Sequence, residues 1–422
     1  MAARTLLAVI IPLAVVTLAA LAWMWPSAPE ATGQTSAPLK KVTGTVVRVD
    51  LKPCPKQVAP EGLPADADPS SAPGGLPPTD PRKCGTAQVQ LTAGPLRGRA
   101  VTTELPSGPG NRVFGVGDDV ILVEMPADST ASENAGSPAY QLSDHDRSNP
   151  LWLVGAAFAL AVIAFGRWRG VTALIGLAVT FALLLFFLIP AILEGRPPLL
   201  TAIVCAAAIM LAVLYLTHGF TQTTSIAVIG TLGSLTLTGV LAMVAIDLTS
   251  LTGITDDSSL YLDLNYQINT QGLLLASIII GSLGVLDDVT ITQAATVREL
   301  ARANPSYGFA QLYRAAARVG RAHIASVINT VILAYAGASL PLLLLFSIGR
   351  QPLGEVVTSP VIAQEIVRSV AGTLGLIAAV PLTTALAALA ATRPDSHPTP
   401  DGRYPPYRGH RRRIDIPADS PG

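Results

Sequence analysis

Two adjacent carboxylates, Asp287 and Asp288, stand in an otherwise apolar stretch and are followed closely by Thr290, Thr292 and Gln293. Oxygen groups of this kind suit a hard cation. They could equally hold a transferable proton, because burial and like-charge repulsion both disfavour the charged form of a carboxyl. A plainer reading stays open. Aspartate is a favoured N-cap, and Thr290 with Gln293 has capping-box spacing, as does Thr296 with Glu299, so the pair could simply start a cytoplasmic helix after a break. Neighbouring side chains diverge by about 100° around a helix, so both carboxylates face one ligand only if the helix is interrupted there. Elsewhere the chain offers little chemistry. It has no G-x-x-x-x-G-K loop, no H-E-x-x-H and no G-x-S-x-G elbow, which argues against an enzyme and implies no cofactor. His218 reads as a loop residue and Asn329 as a helix-to-helix hydrogen-bonding group. Asp256, Asp257 and Asp263 read as an acidic, solvated loop. No metal-ligand set can be specified.

The elements that must carry these residues follow from composition. Of 422 residues, half are hydrophobic and 13% are charged, about half the charged share of a globular chain. The 28 basic and 28 acidic side chains cancel, leaving no global field to recruit nucleic acid. A helix needs roughly 20 apolar residues to cross the hydrocarbon. Eight runs qualify, near residues 6–25, 151–165, 171–193, 199–216, 224–246, 270–286, 324–346 and 369–392. The chain is therefore expected to be mainly α, a polytopic membrane protein with about eight transmembrane helices and the lipid bilayer as its first partner. Arginines divide between alternate short loops, 14 on the side of Arg4, Arg167, Arg298 and the tail, against Arg196, Arg350 and Arg368 opposite. By the positive-inside bias both termini are cytoplasmic and residues 26–150 extracytoplasmic, in the cell membrane. The first run, residues 1–25, reads as an uncleaved anchor; a signal peptide is the alternative.

Residues 26–150 contain strand-like pieces at 42–50, 86–92, 99–105 and 119–125, enough for a small β barrel or sandwich of OB-like size. A proline-rich insertion, residues 53–83, separates the first two. Cys54 and Cys84 flank it and, in an oxidising exterior, are expected to form a disulfide worth roughly 3 kcal/mol by closing that loop. Cys205 reads as core packing. Further on, Phe309, Leu312, Tyr313, Ala316 and Val319 recur at helical spacing opposite Arg314, Arg318 and Arg321, as in an interfacial helix whose arginines follow the positive-inside bias. Ser359 and Pro360 read as N-cap and first helical residue, Glu365 and Arg368 as a surface pair, and Pro341 and Pro381 as candidate kinks. Gly230-Thr-Leu-Gly233, Gly281-Ser-Leu-Gly284 and Gly372-Thr-Leu-Gly375 form either helix-packing glycines or a degenerate inverted repeat. Residues 393–422 read as a disordered basic tail.

Longer blocks carry a family resemblance. GSLGVLDDVTITQAATVREL at residues 281–300, GRAHIASVINTVILAYAGASLPLLLLF at 320–346, QEIVRSVAGTLGLIAAVPLTTALAA at 364–388 and HGFTQTTSIAVIGTLGSL at 218–235 resemble the YibE/F-like family of bacterial multipass membrane proteins. A basic residue expected near Gln222 or Thr223 is not present. The resemblance implies a seven-helix transmembrane domain over residues 151–392 but no defined biochemical activity. Two functions remain from the residues: a secondary transporter or permease for a small solute or cation, or a non-transporting scaffold that presents the exterior β domain to an envelope protein partner.

Overall fold

A computed structural model describes residues 2–26, 40–54, 80–106, 112–125, 139–255, 257–349 and 352–392. The inner part of the proline-rich insertion, Asp256, Arg350 and the tail from Arg393 lie outside the described residues. The chain divides into two compact units, one of residues 1–29 with 172–422 and the other of residues 30–171.

In the second unit, alternation of apolar and polar residues produces five antiparallel strands: β1 (Lys41–Leu51), β2 (Gly85–Leu91), β3 (Ala100–Glu104), β4 (Asp119–Met125) and β5 (Ala139–His145). Their order is β3-β2-β1-β4-β5. The inward residues Val46, Val89, Leu91, Val120, Leu122 and Leu142 form the core. Bulges interrupt the register at Val47 on β1 and at Ser143 on β5, opposite Ile121 and Leu122 of β4, where the sheet can bend. That bend brings the two edge strands together, for the Leu142 N–H on β5 donates to Thr103 Oγ1 on β3 at 3.1 Å. Cys54 and Cys84 are joined in a disulfide. Asp80 caps the short turn before Cys84, accepting from the Arg82 N–H at 3.0 Å. Helix α2 (Ser148–Gly166) follows, with no residue buried in the unit. The left-handed φ of 52° at Arg167 ends it, and a Cβ on Gly170 would collide with the Val162 carbonyl.

The other unit is helical. It contains α1 (Ala2–Trp23) and most of α3 (Trp168–Leu183), which runs through a π turn at Leu184–Leu188 into α4 (Ile189–Leu193). Then come α5 (Pro198–His218), α6 (Gln222–Leu248), α7 (Asp257–Tyr266), α8 (Thr270–Ala303), α9 (Phe309–Ala338), α10 (Leu340–Ile348), α11 (Leu353–Thr358) and α12 (Pro360–Thr392). Among the described residues, eight helical segments are long and apolar enough to cross a membrane. Helices α6, α8 and α12 pack on one another, α5 packs against α8, α9 lies against α8 and α12, and α1 lies against α5 and α6.

Several expectations are corrected. Helix α8 does not stop near residue 286 but runs 34 residues without interruption, about 51 Å, so Asp287 and Asp288 cap nothing. Its inward face continues as Leu286, Val289, Ala294 and Val297, which hold it against its neighbours beyond the carboxylates. The interfacial helix and the seventh apolar run are one helix, α9, because Leu312, Ala316, Gly320 and Ile324 keep one buried stripe across both. Pro341 does not kink it; the helix ends at Ala338, and Pro341 lies in the first turn of α10. Asp257 and Asp263 sit on helix α7, not in a loop. Pro360 does begin α12, but the Ser359 hydroxyl donates backward to the Val356 carbonyl at 2.7 Å instead of capping. Glu365 and Arg368 pair at 2.8 Å while only about a quarter exposed, so the pair is half-buried and not a surface feature.

Candidate site at the α6–α8–α12 junction

Asp287 lies about 25 Å along α8, where α6 and α12 close on it. Its Oδ1 is buried and has no hydrogen-bond partner. Among the described residues it also has no ion pair. Asp288, about 100° further round the helix, is exposed. The continuous helix thus separates the two carboxylates, and the structure does not bring them to one ligand.

One turn beyond Asp287, Thr290 Oγ1 meets Thr231 Oγ1 of α6 at 2.6 Å. Thr231 lies beside the Asp287 carboxyl as well. Each hydroxyl also reaches its own backbone, Thr290 to the Asp287 carbonyl at 3.1 Å and Thr231 to the Ala227 carbonyl at 3.0 Å. Two hydroxyl protons cannot make all three contacts at once, since each hydroxyl donates only one. The pair can therefore switch which oxygen is left to accept.

Gln293 is buried, but its amide is engaged. Nε2 donates to the Ala316 carbonyl of α9 at 3.0 Å and to Thr384 Oγ1 of α12 at 2.7 Å. Gly320 allows this, since a Cβ there would lie 2.7 Å from Gln293 Oε1. Through Nε2, Gln293 bolts three helices together. Thr292 faces outward with Asp288 and Glu299. Of the five residues singled out from sequence, the structure brings Asp287 and Thr290 together, ties Gln293 through its Nε2 to α9 and α12, and turns Asp288 and Thr292 outward.

Other participants were missed by sequence reasoning. Thr231, Ser234, Thr238, Ser282 and Thr383 are all buried at the contacts of α6, α8 and α12. The Thr383 hydroxyl has no partner and packs against Gly230. Gly372 faces Ser282 and Gly375 faces Thr238, so the repeated glycines of α6 and α12 admit side chains of neighbouring helices. On α8, Gly281 faces the Tyr335 hydroxyl of α9 at ordinary contact distance, and nothing approaches Gly284. The available signal was the hydroxyl residue that follows the first glycine in each motif, Thr231, Ser282 and Thr373.

The junction is therefore a hydroxyl-lined helix contact holding one carboxyl without a counter-charge. A carboxylate withdrawn from water without a counter-charge is expensive. Among the described residues no group of three or more His, Cys, Asp or Glu side chains could hold a metal ion, so any cation here would be held by one carboxylate and neutral oxygens.

A family model described as YibE/F-like protein matches residues 154–393, more than half of the chain, and the chain belongs to that family. The matched region contains α3 through α12 and the whole junction. No curated protein and no solved structure matches the chain.

Proposed function

We propose that this YibE/F-like protein is a multi-pass integral membrane protein, not an enzyme, whose α6–α8–α12 bundle carries a small solute or cation by secondary transport. The observation that carries this reading is the buried, unpartnered Oδ1 of Asp287 between helices long enough to span a bilayer. Ionisable groups at such depth are costly and are characteristic of ion pathways. Asp287 is the coupling carboxyl, and the Thr231–Thr290 hydroxyls offer it a switchable donor or acceptor. In this reading residues 1–25 are an anchor, residues 26–150 an extracytoplasmic OB-like β domain, and residues 151–392 the transmembrane domain in the cell membrane. Residues 393–422 are a cytoplasmic tail, and both termini face the cytoplasm. Flux of protons, metal cations and small metabolites into vesicles reconstituted with the full chain tests the reading. Asp287→Asn should abolish a flux that the unaltered protein supports, and flux by the variant at the unaltered rate would remove Asp287 from the mechanism.

A second reading rests on the sheet. In it, residues 40–145 are a binding module that a non-transporting scaffold presents to an envelope partner, a reading supported by the sheet's own core and meeting edge strands. Crosslinking of the full chain in cells separates the readings: a stoichiometric partner on the β strands together with absence of flux favours the scaffold.

A further inference from the structure

A groove of about 560 Å³ runs between α9 and α12, away from the Asp287 junction. One wall is basic. Arg314, Arg318 and Arg321 follow at intervals of four and three residues, the spacing of one helix face, and all three line the groove and are exposed. The opposite wall, on α12, is apolar, formed by Ile377, Val380 and Pro381, and Ile324 of α9 extends the apolar lining beyond the arginines. Among the described residues none of the three guanidinium groups has a carboxylate partner; the ion pairs of this unit are made by Arg302 with Glu299 and Arg368 with Glu365. Three like charges brought together without acids repel one another unless an anion joins them.

The level of the groove along α9 narrows the identity of that anion. Helix α9 has 30 residues and is about 45 Å long, some 15 Å more than the hydrocarbon it would cross. The arginines occupy the first half of that length and Ile324 follows them, so the groove passes from headgroup level into the apolar layer. A free inorganic anion would use only the basic wall. A phospholipid with a net negative headgroup uses both, with its phosphate on the guanidinium groups and its acyl chains along α12.

We propose that this groove is a binding site for an anionic phospholipid, with Arg314, Arg318 and Arg321 as its phosphate ligands. The site goes beyond the transport reading and does not depend on it. The Ala316 carbonyl that fastens Gln293 lies between Arg314 and Arg318 in sequence, and the Val380 carbonyl that accepts from Thr384 belongs to a groove-lining residue. A lipid seated there would brace the α8–α9–α12 contact.

The test uses the full-length protein in detergent, titrated with short-chain phosphatidylglycerol and phosphatidylcholine and followed by native mass spectrometry and thermal unfolding. Phosphatidylglycerol should bind and raise the unfolding temperature while phosphatidylcholine does neither. Each arginine contributes about fivefold near an anionic surface, so replacing all three by glutamine should weaken phosphatidylglycerol about a hundredfold. Single Arg→Gln variants, expected to lose about fivefold each, keep the test readable if the triple variant does not fold. Arg302→Gln, outside the groove, should bind as the unaltered protein does. Equal binding of the two lipids, or retained phosphatidylglycerol binding in the folded triple or single variants, overturns the proposal. So does displacement of the lipid by an equal concentration of inorganic phosphate, which would assign the arginines to a soluble anion.

Discussion

At the scale of residues, Asp287 and Asp288 show how a helix assigns different roles to neighbours in sequence. Their 100° divergence is legible from spacing alone, given an uninterrupted helix. What spacing could not supply is Thr231, which reaches Thr290 across 59 positions of chain and is brought there by packing of α6 on α8. Asp287→Asn should therefore abolish flux while Asp288→Asn retains it, measured in the same reconstituted vesicles with folding checked by size-exclusion profile. Loss in the Asp288 variant alone would reverse the assignment. Thr231→Val should lower flux and cost about 1 kcal/mol of stability, the ordinary worth of a hydrogen bond. A different residue-scale prediction concerns Asp144 on β5. The Arg147 guanidinium, paired through two contacts at 2.6 and 2.8 Å, and secondarily the His145 N–H, hold its carboxyl down at about 2 from an ordinary 3.8. A group held low in the folded state stabilises above its ordinary value and loses that contribution as pH falls from 3.8 through about 2. The pair is half exposed, so the effect is small. Asp144→Asn should flatten the pH dependence of β-sheet unfolding in that window and lower stability at pH 7 by the same small amount.

At the scale of elements, apolar runs located the eight long helical spans and alternation located four of the five strands, while the short helices α7 and α11 went unread. Ends were harder to read. The carboxylates of α8 and the basic turn of α9 resembled boundaries because a local window cannot register that Leu286, Val289 and Val297, or Leu312, Ala316 and Gly320, continue one inward stripe. The glycine motifs carry the same limit, since three similar tetrapeptides meet three different surroundings. Gly375 is so close to Thr238 that an added Cβ would overlap its Oγ1, whereas Gly284 has nothing within 4 Å. Gly375→Val should destabilise by about 1–3 kcal/mol through overpacking. Gly284→Ala should be neutral or stabilise by up to about 1 kcal/mol through helix propensity. Thermal unfolding of the two variants should shift accordingly, and equal shifts would contradict the packing at α12. In the sheet, Cys54→Ser with Cys84→Ser should cost roughly 3 kcal/mol, because the bridge closes a 30-residue separation, and its loss should lower the unfolding temperature of the β signal.

At the scale of the whole molecule, the sheet unit and the helical unit have separate cores. The apolar surface fits a membrane protein: Trp152, Phe165, Leu248 and Leu344 are among many large apolar side chains left exposed. Composition alone made the eight long apolar helices readable, because crossing lipid requires about 20 apolar residues in a row. Sidedness can be tested directly. Cys205 is buried and the other two cysteines are bridged, so Cys205→Ser provides a background without free thiols among the described residues. In that background a cysteine placed at Glu124 on β4 should react with a membrane-impermeant maleimide in intact cells. One placed at Ser306, between α8 and α9, should react only after permeabilisation. Reaction of both in intact cells would place the α8–α9 turn outside, set the arginine groove at the outer headgroups, and open the Asp287 carboxyl toward the opposite face from the one the transport reading requires.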